Sequence, residues 1–486
     1  MRMVTFGFIV LAHVLSACAP RQVAPAPTST PILTATPAPT ATPTVTPTVT
    51  PTPIPTLPPE QVGGLTGVPD PRYSNPELFD ISDPDAPIPQ LVNAMRMAGI
   101  EIEPQSVAEG IAYQKMGKDG NSAVVVVYHR NTDLTKQGET LEGPIPLIFA
   151  RQNENRWWWE KVRMRDLGDL SGIKLGSWFP WDSPDRVYSI YEEELHSATL
   201  DTGVYWPEVE PRQGYFDFDR LRKNAGRAQT SGYLLRGHAL VFPSVSPEWL
   251  QNSNYSIEEM TQILINHVQR VVSYSQELGI NEWVVVNEPY LSPYRTDDPF
   301  YRALGNYDYI TVAFQAARDA NPSARLIYND TDNHYSGGLT TSLTRQMVSR
   351  LREQGLIDAV GVQAHLGDWV PLPTTERDKQ DIIRTLVGYG LPVVVTELDV
   401  NLHNVSGTQE ERYMLQAEVY QIFIDAALQA GVTEISFWGI DEGNSWLEVW
   451  SGQFDADATL FDRNLNPKPA YYAITQLLLS RSMLSQ

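Results

Sequence analysis

The chain has 486 residues, 42% hydrophobic and 19% charged, which is long enough for more than one domain and apolar enough for a large core. Its formal net charge of -22 excludes a nucleic-acid surface, which needs clustered Lys and Arg, and disfavours docking on anionic lipid. A neutral substrate fits that balance, and the 12 Trp and 22 Tyr suit either sugar stacking or simple core packing.

At the N-terminus Arg2 precedes an apolar stretch, Val4 to Val14, too short to span a bilayer as a mature helix. It ends in Leu15-Ser16-Ala17-Cys18, and Cys18 is the sole cysteine, so no intrachain disulfide forms. The segment resembles the lipobox of bacterial lipoproteins. That resemblance implies a signal peptide over 1–17, lipid on Cys18, and an extracellular, cell-surface protein anchored to the membrane. Residues 18–68 read as a linker. Within it, residues 24–60 alternate Thr and Pro with Ala and hold 12 of the 37 prolines. Such a segment buries no apolar surface, favours polyproline II, and reaches on the order of 100 Å as a stalk. Residues 69–168 are expected to form a small α+β domain of unknown role. Its helix is placed at Ile88–Ala98, and its strands at Ala123–Tyr128, Ile145–Ala150 and Asn155–Val162. Alternation in the last puts Trp157 and Trp159 on one face and Trp158 on the other.

From 169 to 482 short β-rich runs alternate with amphipathic helical stretches. The runs are Ile173–Phe179, Ala198–Asp201, Leu234–Phe242, Glu282–Asn287, Ala324–Asn329, Ala359–Gln363, Pro392–Thr396 and Glu434–Trp438. Between the fourth and fifth, Ile310, Ala313, Phe314 and Ala317 repeat at helical spacing until Asn321-Pro322 stops them. Eight such units in succession predict a (β/α)8 TIM barrel.

Barrel chemistry sits at the C-terminal ends of the strands. Run four ends in Asn287-Glu288-Pro289 and run seven in Thr396-Glu397-Leu398-Asp399. Gln363 and His365 follow run six, Trp438 ends run eight, and His238 lies in run three. Two carboxylates facing each other across a barrel mouth are what glycoside hydrolysis uses. One, protonated, donates to the leaving oxygen. The other, ionised, attacks the anomeric carbon, and retaining enzymes hold the two carboxyl groups about 5–5.5 Å apart. The sequence shows no His-x-x-x-His, paired Cys, G-x-S-x-G or glycine-rich phosphate loop, so no metal or cofactor is expected.

Taken in order, RGHALVF (236–242), WVVVNEP (283–289), LIYND (326–330), VGVQAH (360–365), TELD (396–399), FWGIDEGNSW (437–446) and KPAY (468–471) resemble glycoside hydrolase family 10, the endo-β-1,4-xylanases. The resemblance implies a retaining double displacement on xylan or a related polysaccharide, with Glu288 as acid/base and Glu397 as nucleophile. It implies that Asn287 holds a sugar 2-hydroxyl, that His365 orients Glu397 with support from Asp399, and that Gln363 and His238 bind sugar. Trp438 and Trp446 would wall the glycone side, and the enzyme would act as a monomer. The pattern departs from the family before Trp206, where Asp201, Thr202 and Tyr205 replace Glu, Asn and Lys. It departs again after Val241, where Phe242-Pro243 and Val245 replace Trp-His and Gln. Two other readings stay open at this point: a glucanase or mannanase of the same barrel superfamily, or a non-catalytic glycan-binding barrel.

Overall fold

The computed structural model describes four short strands between 115 and 161, and residues 163–484 apart from 181–182, 252–253, 291–297 and 368–369. The expected signal peptide, Cys18, the Thr/Pro-rich stretch and the helix expected at Ile88–Ala98 lie outside the described residues. Strands β1 (Lys115–Met116), β2 (Ser122–Val126), β3 (Leu147–Asn153) and β4 (Arg156–Lys161) form an antiparallel sheet in sequential order. The last three coincide with the runs expected there. β1, two residues long, is too short to carry a readable pattern.

The barrel strands are β5 (Lys174–Trp178), β6 (Ser197–Leu200), β7 (Leu234–Val241), β8 (Glu282–Asn287), β9 (Arg325–Asp330), β10 (Ala359–Val362), β12 (Val393–Val400) and β13 (Glu434–Phe437). All pair in parallel, in the order β10-β9-β8-β7-β6-β5-β13-β12, and β12 pairs back onto β10 with Val360 opposite Val393. The sheet therefore closes and keeps no edge. Every expected run lands on a strand. The largest difference is β12, expected to end at Thr396 but continuing to Val400. Its extension is held by a short strand β11 (His365–Leu366), which sets His365 beside Asp399.

Amphipathic helices cover the strands because their spacing buries one stripe. The helix Asp308–Ala320 buries Ile310, Ala313, Phe314 and Ala317, as its periodicity predicts, and its C-cap is Asn321. Helices starting at Ile257, Glu376 and Gln409 open on reciprocal caps: Ser256 with Glu259, Thr375 with Asp378, and Thr408 with Glu411. Each such cap contributes about 1 kcal/mol.

Inside the barrel the composition changes with height. At the N-terminal end Arg236 and Arg325 both donate to Glu282 and Glu434, so two cations offset two carboxylates. A small apolar layer of Ile327, Ala359 and Val394 follows. The next layer, at the C-terminal ends, is polar although deeply buried, and the site is built there.

Candidate active site

Backbone hydrogen bonds continue past the strand ends and pin the polar residues. Glu288 N–H donates to the Asn329 carbonyl, Gln363 N–H to that of Asp330, Glu397 N–H to that of Gln363, and Trp438 N–H to that of Leu398. Glu288 and Ala364 adopt positive φ, 48° and 62°, at the points where the chain leaves β8 and β10. That backbone region is sparsely used by residues other than glycine and recurs at functional sites.

The side chains of Glu288 and Glu397 are joined through three amides. Gln363 Nε2 donates to Glu288 Oε1 at 2.7 Å and lies 3.2 Å from Asn287 Oδ1. Asn329 Nδ2 donates to Asn287 Oδ1 at 2.8 Å and to Glu397 Oε1 at 2.7 Å. Glu397 is 4% exposed, whereas Glu288 is half-buried. The structure thus brings the two carboxylates of β8 and β12 to one mouth, with Asn287 and Gln363 between them.

Glu397 also meets a cation. His365 Nε2 donates to Glu397 Oε2 at 3.2 Å, and its Nδ1 donates to Asp399 Oδ2 at 2.9 Å. Trp446 Nε1 donates to the same Asp399 oxygen at 2.7 Å, with its ring 4.9 Å from the imidazole. Burial alone would lower the basicity of His365, but Asp399 and Glu397 outweigh it and raise its pKa to about 10. Burial pushes the Glu397 carboxyl up. The imidazoles of His238 and His365 and the Asn329 amide outweigh that and hold it below the usual carboxylate range. The geometry therefore supplies an ionised, oriented carboxylate on β12.

The other half of the mouth is aromatic. The His238 ring lies 5.1 Å from Trp438, which in turn lies 6.5 Å from Trp178. Burial lowers the pKa of His238 despite the attraction of Glu397 and Asp201. His238 Nδ1, 3.9 Å from Glu397 Oε1, and Gln363 Oε1 are buried and have no hydrogen-bond partner among the described residues. Buried polar atoms are ordinarily satisfied, and these two stand unmet beside the catalytic candidates.

Residues 172–477 match glycosyl hydrolase family 10. The chain belongs to that family. It is similar to endo-1,4-beta-xylanase B of Thermotoga neapolitana, 31% identical over 324 residues, covering 65% of this chain and 91% of the relative. Endo-1,4-beta-xylanase A of Humicola insolens is 30% identical over 311 residues, 63% of this chain and 78% of that one. Among solved structures, native xylanase 10B from Thermotoga maritima superposes with a TM-score of 0.59 at 28% identity, covering 66% of this chain and all of that one. Xylanase 10B from Thermotoga petrophila, solved with xylobiose, gives 0.59 at 27% identity, covering 66% of this chain and 99% of that one.

Within this family 10 barrel the sequence reading overlooked one residue at the centre of the network. Asn329 is fully buried, donates to both Asn287 and Glu397, and accepts the Thr396 hydroxyl at 2.6 Å. Strand alternation carries the signal, since Ile327 faces the barrel interior and Asn329, two residues on, shares its face. Gly361 on the neighbouring strand leaves room for it, because a Cβ there would stand 2.3 Å from Asn329 Oδ1.

Proposed function

We propose that this glycoside hydrolase cuts internal β-1,4 linkages of xylan with retention, Glu397 acting as nucleophile and Glu288 as acid/base. The observation that carries the reading is the pair of carboxylates tied through Gln363, Asn287 and Asn329 at one barrel mouth, with the imidazolium of His365 on Glu397. Glu397 attacks the anomeric carbon while Glu288 protonates the departing oxygen. The resulting glycosyl-enzyme is then hydrolysed: Glu288 takes a proton from water, the water oxygen bonds the anomeric carbon, the bond to Glu397 breaks, and the sugar is released. Asn287, His238 and Gln363 hold sugar hydroxyls, Trp438 and Trp446 stack against the rings, and Asp399 fixes His365. The names of the relatives and the xylobiose bound to one of them support xylan as the substrate. The altered residues Asp201, Thr202, Tyr205, Phe242, Pro243 and Val245 favour a second reading, a glucan or mannan, for the glycone side alone.

The test is sugar release by the full chain from xylan, mixed-linkage glucan, cellulose and mannan, with the anomer of the first product read by NMR. Retained β configuration from xylan, absent in Glu397→Ala, is expected. Near-wild-type turnover by Glu397→Ala would sink the assignment. The same reading places lipid on Cys18 and the enzyme, a monomer, at the cell surface, supported by the Leu15-Ser16-Ala17-Cys18 segment and the Thr/Pro-rich stretch. A mature protein whose first residue lies beyond Cys18 would rule the anchor out.

A further inference from the structure

Of the motifs read in the sequence, KPAY (468–471) plays no part in the mechanism above, yet Lys468 is buried, directly before the helix Pro469–Leu484. Its ammonium donates to Glu442 Oε1 at 2.9 Å and to the Asp457 carbonyl at 2.7 Å, and lies 4.9 Å from the centre of the Tyr413 ring. The charges acting on it are those of Glu442, Asp457 and Asp462, and Asp457 is also paired with Arg412. Glu442 is buried too, and its Oε1 accepts the Thr459 N–H and hydroxyl, both at 2.8 Å. Two segments are joined at this point. Glu442 opens the turn 442–444 that leads into the helix Trp446–Ser451. Asp457 and Thr459 flank Ala458, whose carbonyl takes the Val400 N–H at 3.2 Å, and the Ala456 carbonyl takes the Leu402 N–H at 2.7 Å. Residues 456–458 thus lie along 400–402, directly after Asp399. Ala456, Ala458 and Leu447 form a small apolar cluster, and Trp446 packs against it. Lys468 therefore ties the turn that carries Trp446 to the floor beneath that side chain. The indole N–H, 2.7 Å from Asp399 Oδ2, shares that oxygen with His365 Nδ1.

We propose that Lys468 is a positioning residue for the nucleophile: with Glu442 it seats Trp446 on Asp399, and through Asp399 it holds the His365 imidazole against Glu397. This rests on the hydrolase reading above and goes further, tracing the support of Glu397 to a side chain whose own bonds go to Glu442 and Asp457. A buried ion pair adds little net stability over an apolar pair of the same volume, so what this one supplies is fixed geometry. Hydrogen bonds between charged groups are short and directional, whereas the alanines and leucine under Trp446 would let an indole slide. The indole must not slide, because its N–H and the His365 N–H converge on one oxygen. A displaced Trp446 leaves the Asp399 carboxylate free to turn, and the imidazole turns with it. His365 Nε2 then no longer points at Glu397 Oε2, to which it now donates at 3.2 Å.

The experiment compares the full chain with Lys468→Met, Trp446→Phe and the double variant on an aryl β-xylobioside. The acid limb of kcat/KM reports ionisation in the free enzyme, so a change in how the ring stacks on sugar does not move it. Each single variant should move that limb toward neutral pH by about half a pH unit or more and lower kcat about threefold or more, because a loosened His365 supports the charge on Glu397 less well. The double variant should lose little beyond either single one, since both changes break one path. Lys468→Met that melts lower but keeps the wild-type limb and kcat overturns the proposal, because that is the behaviour of a merely structural ion pair. An unmoved limb in Trp446→Phe, or losses that add in full, overturn it equally. Should Lys468→Met not fold, Glu442→Gln takes its place, keeping an acceptor for Thr459 while weakening the hold of Lys468, and the same outcomes decide. A wild type as inactive as Glu397→Ala overturns the hydrolase reading as well as this one.

Discussion

Asn329→Ala separates orientation from mere presence of the catalytic pair. The side chain makes three hydrogen bonds in full burial, at 2.7 Å to Glu397, 2.8 Å to Asn287 and 2.6 Å from Thr396. A hydrogen bond to a charged group contributes about 1.5–3 kcal/mol. Removing the bond to Glu397 therefore makes protonation of that carboxyl about ten- to a hundredfold easier. The sign follows from its depressed pKa. Glu397 must be ionised to attack, it is held below its ordinary value of 4.5, and losing a donor raises it. The acid limb of kcat/KM should move toward neutral pH. At the optimum kcat should fall about tenfold or more, because Glu397 and Asn287 lose their common tether. Unfolding should become easier too, since the buried Thr396 hydroxyl loses its acceptor, at about 1–3 kcal/mol for an unsatisfied group, and Asn287 keeps only the longer bond from Gln363. The assay is kcat/KM on an aryl β-xylobioside from pH 3 to 8, with Asn329→Asp as a second variant. The aspartate keeps the size but sets a like charge against Glu397, and so should move the acid limb further. An acid limb unmoved in both variants would refute the claim that Asn329 helps keep the nucleophile ionised.

Gly361→Ala should displace Asn329 through the 2.3 Å approach of the new Cβ, lowering kcat in the same direction and stability by about 1–3 kcal/mol; unchanged kcat would mean the amide has room to yield. His365, raised to about 10, should still be an imidazolium at pH 8 by nitrogen NMR. Its contribution to stability is full below about pH 6.5 and is lost as pH rises through about 10, so a neutral ring at pH 8 contradicts the ion pair. Glu288→Ala should fail on xylan yet retain glycosylation of substrates with acidic phenol leaving groups, which depart without a proton, whereas Glu397→Ala should fail on both. Equal losses on both substrate types would reverse or remove the assigned roles.

The barrel was legible because each strand is a short apolar run followed by a polar residue, and because helices such as 308–320 show their buried stripe in sequence. Glu288, Glu397 and His365 follow their runs, and Gln363 and Trp438 end theirs. Asn329 also ends its run, Ala324–Asn329, but its role of holding side chains from other strands has no local signal. Reading the strand as apolar throughout hides that alternate residues face the barrel interior. Asp201 and Tyr205 were visible only as departures from a pattern. Their closeness comes from a turn in which the Tyr205 N–H donates to the Asp201 carbonyl, which no local periodicity encodes. The contact of His365 with Asp399 came only with the family resemblance, because the two-residue strand that makes it joins residues 34 apart and has no local signal.

The chemical identity of the link between the two glutamates bears on how one site holds two protonation states. His365 spends both ring nitrogens on carboxylates of β12, Glu397 and Asp399, so its charge is committed to that strand. The connection onward to Glu288 runs through Asn329, Asn287 and Gln363, and carboxamides do not titrate near neutral pH. Such a chain fixes distance and angle without offering a site where a proton could rest between the carboxylates. A histidine or acid in any of those three positions would couple the two titrations, and the pair would gain and lose protons jointly. With amides in place, Glu397 can stay ionised against its imidazolium while Glu288, half-buried, is free to exchange the proton that the proposed mechanism asks of it. The division of labour between two identical side chains is thus set by what stands between them as much as by what surrounds each one.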